Sequence, residues 1–72
     1  MLVKRHDTST VSNELRARIK RYIHEHGISP GKFSKRAGIS YSYTRMFLSG
    51  EIKAPGMDQL TKIEEVLRDA GI

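Results

Sequence analysis

Cysteine is absent from this sequence, and its absence removes two ways of bracing a small chain, the disulfide and the thiolate metal site. A cysteine-free chain also fits a reducing compartment, so the expected location is the cytoplasm. No apolar run approaches the roughly 18 residues of a membrane-spanning helix. The N-terminus lacks the apolar stretch of a secretory signal. Bulk is lacking too. A chain of 72 residues makes one domain, and at this size only about 60% of the unfolded surface becomes buried. A core that thin leaves little room for a large catalytic pocket. No paired carboxylates, nucleophile–base set or glycine-rich phosphate loop stands out, so the chain reads as a non-enzyme without cofactor. His24 and His26 are two residues apart, whereas two ligands on one helical face need a spacing of three or four. No metal site is expected.

Charge is present and unevenly placed. The 13 basic residues outnumber the 8 acidic ones, for a net charge of +5. Residues 1–53 carry 11 Lys/Arg against 4 Asp/Glu, while residues 54–72 carry 2 against 4. A basic body followed by a mildly acidic end suggests a polyanionic partner for the body. The plainer alternative is a solvated, soluble surface.

The periodicity is helical throughout. Residues 1–11 read as a flexible basic arm, and residues 12–72 as the folded domain. A first helix is expected from about Ser12 to His26. Leu15, Ile19, Tyr22 and Ile23 lie on one face, Thr10 or Ser12 is the candidate cap, and Gly27 is the stop. Ser29-Pro30 opens a second helix, since serine caps well and proline suits the first helical position. Ser40 caps a third helix, Tyr41 to about Ser49, which Gly50 ends. A loop containing Pro55 leads to a fourth, about Met57 to Ala70, with Met57, Leu60, Ile63 and Leu67 on one stripe. Met1-Leu2-Val3 is the one short strand candidate. The expected fold is all-α, a small bundle of four to five helices.

The junction Ala37-Gly38-Ile39-Ser40 is the informative feature. A tight two-helix corner needs a small residue before it, a residue tolerant of positive φ within it, and an apolar residue to seal it. Ala37, Gly38 and Ile39 meet those needs, and Phe33 and Phe47 are placed to pack across the angle. With Thr44, Phe47 and Leu48 turned to the core, the third helix presents Ser42, Arg45, Met46 and Ser49, with Tyr41 at its start. A guanidinium, hydroxyls, a phenol and a thioether suit base edges, which mix hydrogen-bonding groups with thymine methyls. The plainer reading is an ordinary exposed helix.

These residues resemble the helix-turn-helix domain of the Cro/repressor (XRE-type) family of bacterial and phage regulators. Ser29, Phe33, Ser34, Gly38-Ile39-Ser40, Phe47, Gly50, Lys53, Pro55, Leu60 and Ile63 match its pattern in register and without a gap. Two small departures are Ser34, where the family has alanine, and Thr44, where it has an apolar β-branched residue. A third concerns a family arginine–glutamate pair, whose positions hold Ile23 and Leu48. Packed hydrophobes commonly replace a buried ion pair at no cost. A fifth helix, which many members use to dimerise, has no counterpart in these residues.

The resemblance implies a lambda-repressor-like helix-turn-helix domain that binds double-stranded DNA, with the third helix in the major groove. The expected base readers are Tyr41, Ser42, Arg45 and Met46. Arg45 alone among them can make a bidentate contact to guanine. The expected phosphate contacts are Ser29, Lys32, Ser40, Ser49 and Lys53. Arg16, Lys20 and Arg21 form either a solvated face or further phosphate contacts. Lys4 and Arg5 read as either a disordered tail or an arm that reaches a groove. One recognition helix covers few base pairs, so a weak homodimer on a palindromic operator is expected. Its expected edge is Val66, Ala70 and Ile72, helped by Met1, Leu2 and Val3 of the arm. The alternative function is a protein-binding module, of antitoxin or antirepressor type, on the same fold.

Overall fold

Four helices account for the regular structure of the computed structural model, which describes residues 8–72: α1 (Thr8–His26), α2 (Pro30–Ala37), α3 (Tyr41–Ser49) and α4 (Met57–Asp69). There is no strand among the described residues. Met1-Leu2-Val3, Lys4, Arg5 and His6 lie outside them.

α1 begins at Thr8, four residues before the expected start, so the last residues assigned to the arm are helical. No glycine or proline interrupts Thr8–Ser12. Ser12 is not a cap. It is fully buried, and its hydroxyl donates to the Lys53 carbonyl at 2.6 Å. A serine whose side chain is satisfied elsewhere no longer competes with its own helix backbone.

The middle helices start and stop as their end residues dictate. Ser29 Oγ accepts from the Lys32 N–H at 3.2 Å, with Pro30 in the first helical position. Gly38 then takes φ 74°, and its N–H reaches the Ser34 carbonyl at 2.9 Å. Ser40 Oγ accepts from the Tyr43 N–H at 3.0 Å and starts α3 at once. Two helices are thus joined by the three residues Gly38-Ile39-Ser40.

Leu15, Ile19 and Tyr22 of α1, Phe33 and Ala37 of α2, Phe47 of α3, and Ile63 and Leu67 of α4 form the core. α2 packs on both α3 and α4, and α1 lies against α4. Tyr22 meets Phe33 edge-on at 5.4 Å between ring centroids, and Arg36 Nη1 donates to its hydroxyl at 2.9 Å. Arg18 pairs with Glu64 across α1 and α4 at 3.1 Å. Met57 departs from its expected stripe and is 76% exposed. Helical side chains lean toward the N-terminus, so a first-turn residue projects beyond the layer that Ile63 and Leu67 fill.

Ser34 and Thr44 are both buried, one on each side of the α2–α3 corner, with their hydroxyl oxygens 2.7 Å apart. Ser34 Oγ is 2.9 Å from the Pro30 carbonyl and Thr44 Oγ1 is 3.3 Å from the Ser40 carbonyl. The two small departures from the pattern of the family resembled are therefore partners. Each hydroxyl excuses the burial of the other.

Candidate nucleic-acid interface

α3 divides cleanly by exposure. Thr44 and Phe47 are buried, and Tyr43 and Leu48 are half-buried. Tyr41, Ser42, Arg45, Met46 and Ser49 are exposed. Tyr41 is 53% exposed and Met46 39%. The four expected base readers thus share the outer side of one helix, and the capped α2–α3 corner fixes its direction.

The expected phosphate contacts fall in two places. Ser29 and Lys32 are exposed at the start of α2. Together with Gly31, Lys35, Ile39 and Tyr41 they line an open groove of about 520 Å³ between α2 and the start of α3. Ser40 is exposed at the same end, its oxygen engaged as the α3 cap. Ser49 and Lys53 lie at the other end. Ser49 Oγ donates its single proton either to the Met46 carbonyl at 3.1 Å or to the Glu51 carboxylate at 3.2 Å. The Lys53 side chain is exposed, while its carbonyl is held by Ser12.

Arg16, Lys20 and Arg21, expected to share one face of α1, separate. Lys20 is exposed. Arg21 Nε donates to Glu25 at 2.9 Å, one turn along. That hydrogen bond holds the Glu25 carboxyl below its ordinary range. Arg16 points the other way, into the structure. Its Nε donates to the Phe47 carbonyl at 2.6 Å, Nη2 to the Ile52 carbonyl at 2.8 Å, and Nη1 to Asn13 Oδ1 at 2.7 Å. The guanidinium carbon sits 4.9 Å from the Phe47 ring centroid. The Phe47 carbonyl lies in the last turn of α3, where partial negative charge collects, so a fixed cation suits it. Arg16 therefore fastens α1 to the end of α3 and to the loop that follows.

Sequence reasoning did not find this clamp. Its one signal is that Arg16 adjoins Leu15 and Ile19 at the border of the apolar face, where a long side chain can fold inward. Tyr43 was also unassigned. Its ring stacks on Phe47 with centroids 6.4 Å apart, and its hydroxyl is buried with no hydrogen-bond partner among the described residues.

Val66, Ala70 and Ile72, the expected dimer edge, are half-buried against their own core. Val66 and Ala70 also line a shallow cleft of about 270 Å³ with Tyr22, His26, Arg36 and Asp69. His26 stacks on Tyr22 at 4.1 Å between centroids. No group of three His, Asp or Glu residues that could hold a metal ion occurs among the described residues. No described helix is long and apolar enough to cross a membrane.

No protein-family model, curated protein or solved structure matches this chain.

Proposed function

We propose that this protein is a sequence-specific double-stranded DNA-binding regulator, in its simplest form a small cytoplasmic repressor of the Cro/repressor type. The observation that carries the reading is the corner itself. Two capped helices meet through Gly38-Ile39-Ser40, and the second turns Tyr41, Ser42, Arg45 and Met46 outward. A helix held this way fits the major groove, where side chains near its N-terminus reach base edges. Lys32 and Lys53, exposed toward opposite ends of that helix, are suited to the phosphates on either side.

A homodimer on a palindromic operator belongs to the same reading. Its edge is Val66, Ala70 and Ile72, all half-buried, with Val66 and Ala70 lining the shallow cleft that they share with Tyr22, His26, Arg36 and Asp69.

Selection of bound duplexes from a random pool tests the proposal. The expected result is a recovered consensus whose affinity falls steeply with salt, because each neutralised phosphate releases counterions. A chain that selects no duplex, and whose partner binding is insensitive to salt, would instead be a protein-binding module.

A further inference from the structure

Apart from the face of α3 and the groove at the start of α2, polar donors also converge near the C-terminal end of α3, in a place whose lining contains no acid. It is a notch of about 210 Å³ lined by Asn13, Arg16, Gly50 and Lys53. We propose that this notch binds a phosphodiester group of the duplex, so that the first turns of α1 are part of the DNA-binding surface. The inference rests on the DNA-binding reading and adds to it a site that includes Asn13.

The notch is preorganised by contacts already described. Arg16 is fixed by two backbone carbonyls, so its charge is in place before any ligand arrives. A guanidinium has five N–H donors, and three nitrogen-to-oxygen contacts leave two of them for a ligand. The contact from Arg16 Nη1 orients the Asn13 amide, because Oδ1 must face the guanidinium. The Asn13 NH2 group is thereby turned away from Arg16 as a neutral donor. Lys53 adds a second cation, and its backbone is tethered by Ser12. Gly50 leaves space at the wall, since a Cβ built there meets nothing within 4 Å. The nearby acid, Glu51, directs a carboxylate oxygen to Ser49 Oγ at 3.2 Å. Two cations and an amide donor around an open space suit an oxyanion with several acceptor oxygens.

Asn13→Asp tests the site with little disturbance. The new carboxylate keeps an oxygen for Arg16, removes the amide donor and places a negative charge where the phosphate would sit. Binding to a labelled random-sequence duplex at low salt is expected to weaken on the order of tenfold, because a like charge replaces a donor, while thermal unfolding is no lower than in the wild type, because the carboxylate still accepts from Arg16. Lys53→Gln is the second variant. It is expected to lower the slope of log affinity against log salt by about one unit. In the wild type, the Asn13 side-chain amide resonances are expected to shift as duplex is added. Asn13→Asp binding within about twofold of wild type, with amide resonances that do not move, overturns the notch and leaves the DNA-binding reading standing. A wild-type protein that binds no duplex at low salt overturns that reading, and the notch with it.

Discussion

The buried hydroxyl pair across the α2–α3 corner allows a sharp test of how this core is built. In the wild type two protons serve three contacts: Ser34 to Thr44, Ser34 to the Pro30 carbonyl and Thr44 to the Ser40 carbonyl. One hydroxyl donates to the other, and the acceptor donates to its own backbone carbonyl. Thr44→Val keeps the shape and lets Ser34 donate to Pro30, so the loss is one hydrogen bond, about 1 kcal/mol. Ser34→Ala leaves Thr44 with the longer contact to Ser40 and removes an atom from a packed corner. Its cost is about 1–1.5 kcal/mol by the same accounting. The double variant leaves no hydroxyl to satisfy and buries two apolar groups, so it is expected to lie within about 0.5 kcal/mol of wild type. Summing the single losses would give about 2–2.5 kcal/mol, so the cycle carries a coupling of about 2 kcal/mol. In a domain this small, a loss of 1 kcal/mol lowers the melting temperature by about 4–8 °C. Urea unfolding of the four proteins reads the cycle directly. Additive losses, with the double variant the least stable, would show that the hydroxyls are not bonded to each other.

Four further outcomes follow from contacts already described. Arg16→Met keeps the stem over Phe47 but deletes the bonds to Phe47 and Ile52, and should cost about 2–3 kcal/mol in urea unfolding; a change below about 0.5 kcal/mol would mean that the clamp is not formed in solution. Tyr43→Phe removes a buried hydroxyl that has no partner among the described residues and should raise stability by about 1 kcal/mol; a loss of that size would show that the hydroxyl is bonded after all. Arg45→Ala should erode preference at one base pair of a selected duplex by about 1–3 kcal/mol, measured by competition against single-base variants; equal losses on selected and random DNA would assign Arg45 to the phosphates. Val66→Lys should abolish two-copy binding to a palindromic duplex in sedimentation, and an unchanged stoichiometry would place the interface elsewhere.

The parts legible in the sequence were those whose chemistry is local. Ser29-Pro30, Gly38 and Ser40 state their roles within four residues, because capping and positive φ are nearest-neighbour matters. The apolar stripe of α1 and the outward face of α3 follow from helical spacing alone. What escaped was long-range. Ser12 looked like a cap because serine commonly is one, and only the loop brought to it across the fold makes it a buried donor. Arg16 reads from sequence as either a solvated residue or a phosphate contact, because its target carbonyls, at 47 and 52, are remote along the chain. Ser34 and Thr44 were each noted as departures, but their pairing depends on the crossing of α2 and α3, which spacing does not specify. Met57 followed the stripe in number and missed it in space, because the helix begins at that residue.

The tether from α1 to the loop after α3 also has a consequence for where this protein comes apart. Its hydrogen bonds join residues 31, 36 and 41 positions distant, from Arg16 and Ser12 to Phe47, Ile52 and Lys53. Closing such spans costs chain entropy that no local turn repays. The first turns of α1 therefore dock on a surface that the other helices must first create. They can detach again while Phe33, Phe47, Ile63 and Leu67 stay packed. Such detachment takes Leu15 out of the core with it, so its cost lies between that of an end turn and that of global unfolding. Any anion seated between Asn13, Arg16 and Lys53 binds the docked form alone, so it slows amide exchange in these turns in proportion to its occupancy. For such an anion, the opening of these turns and its affinity would be two measures of a single equilibrium.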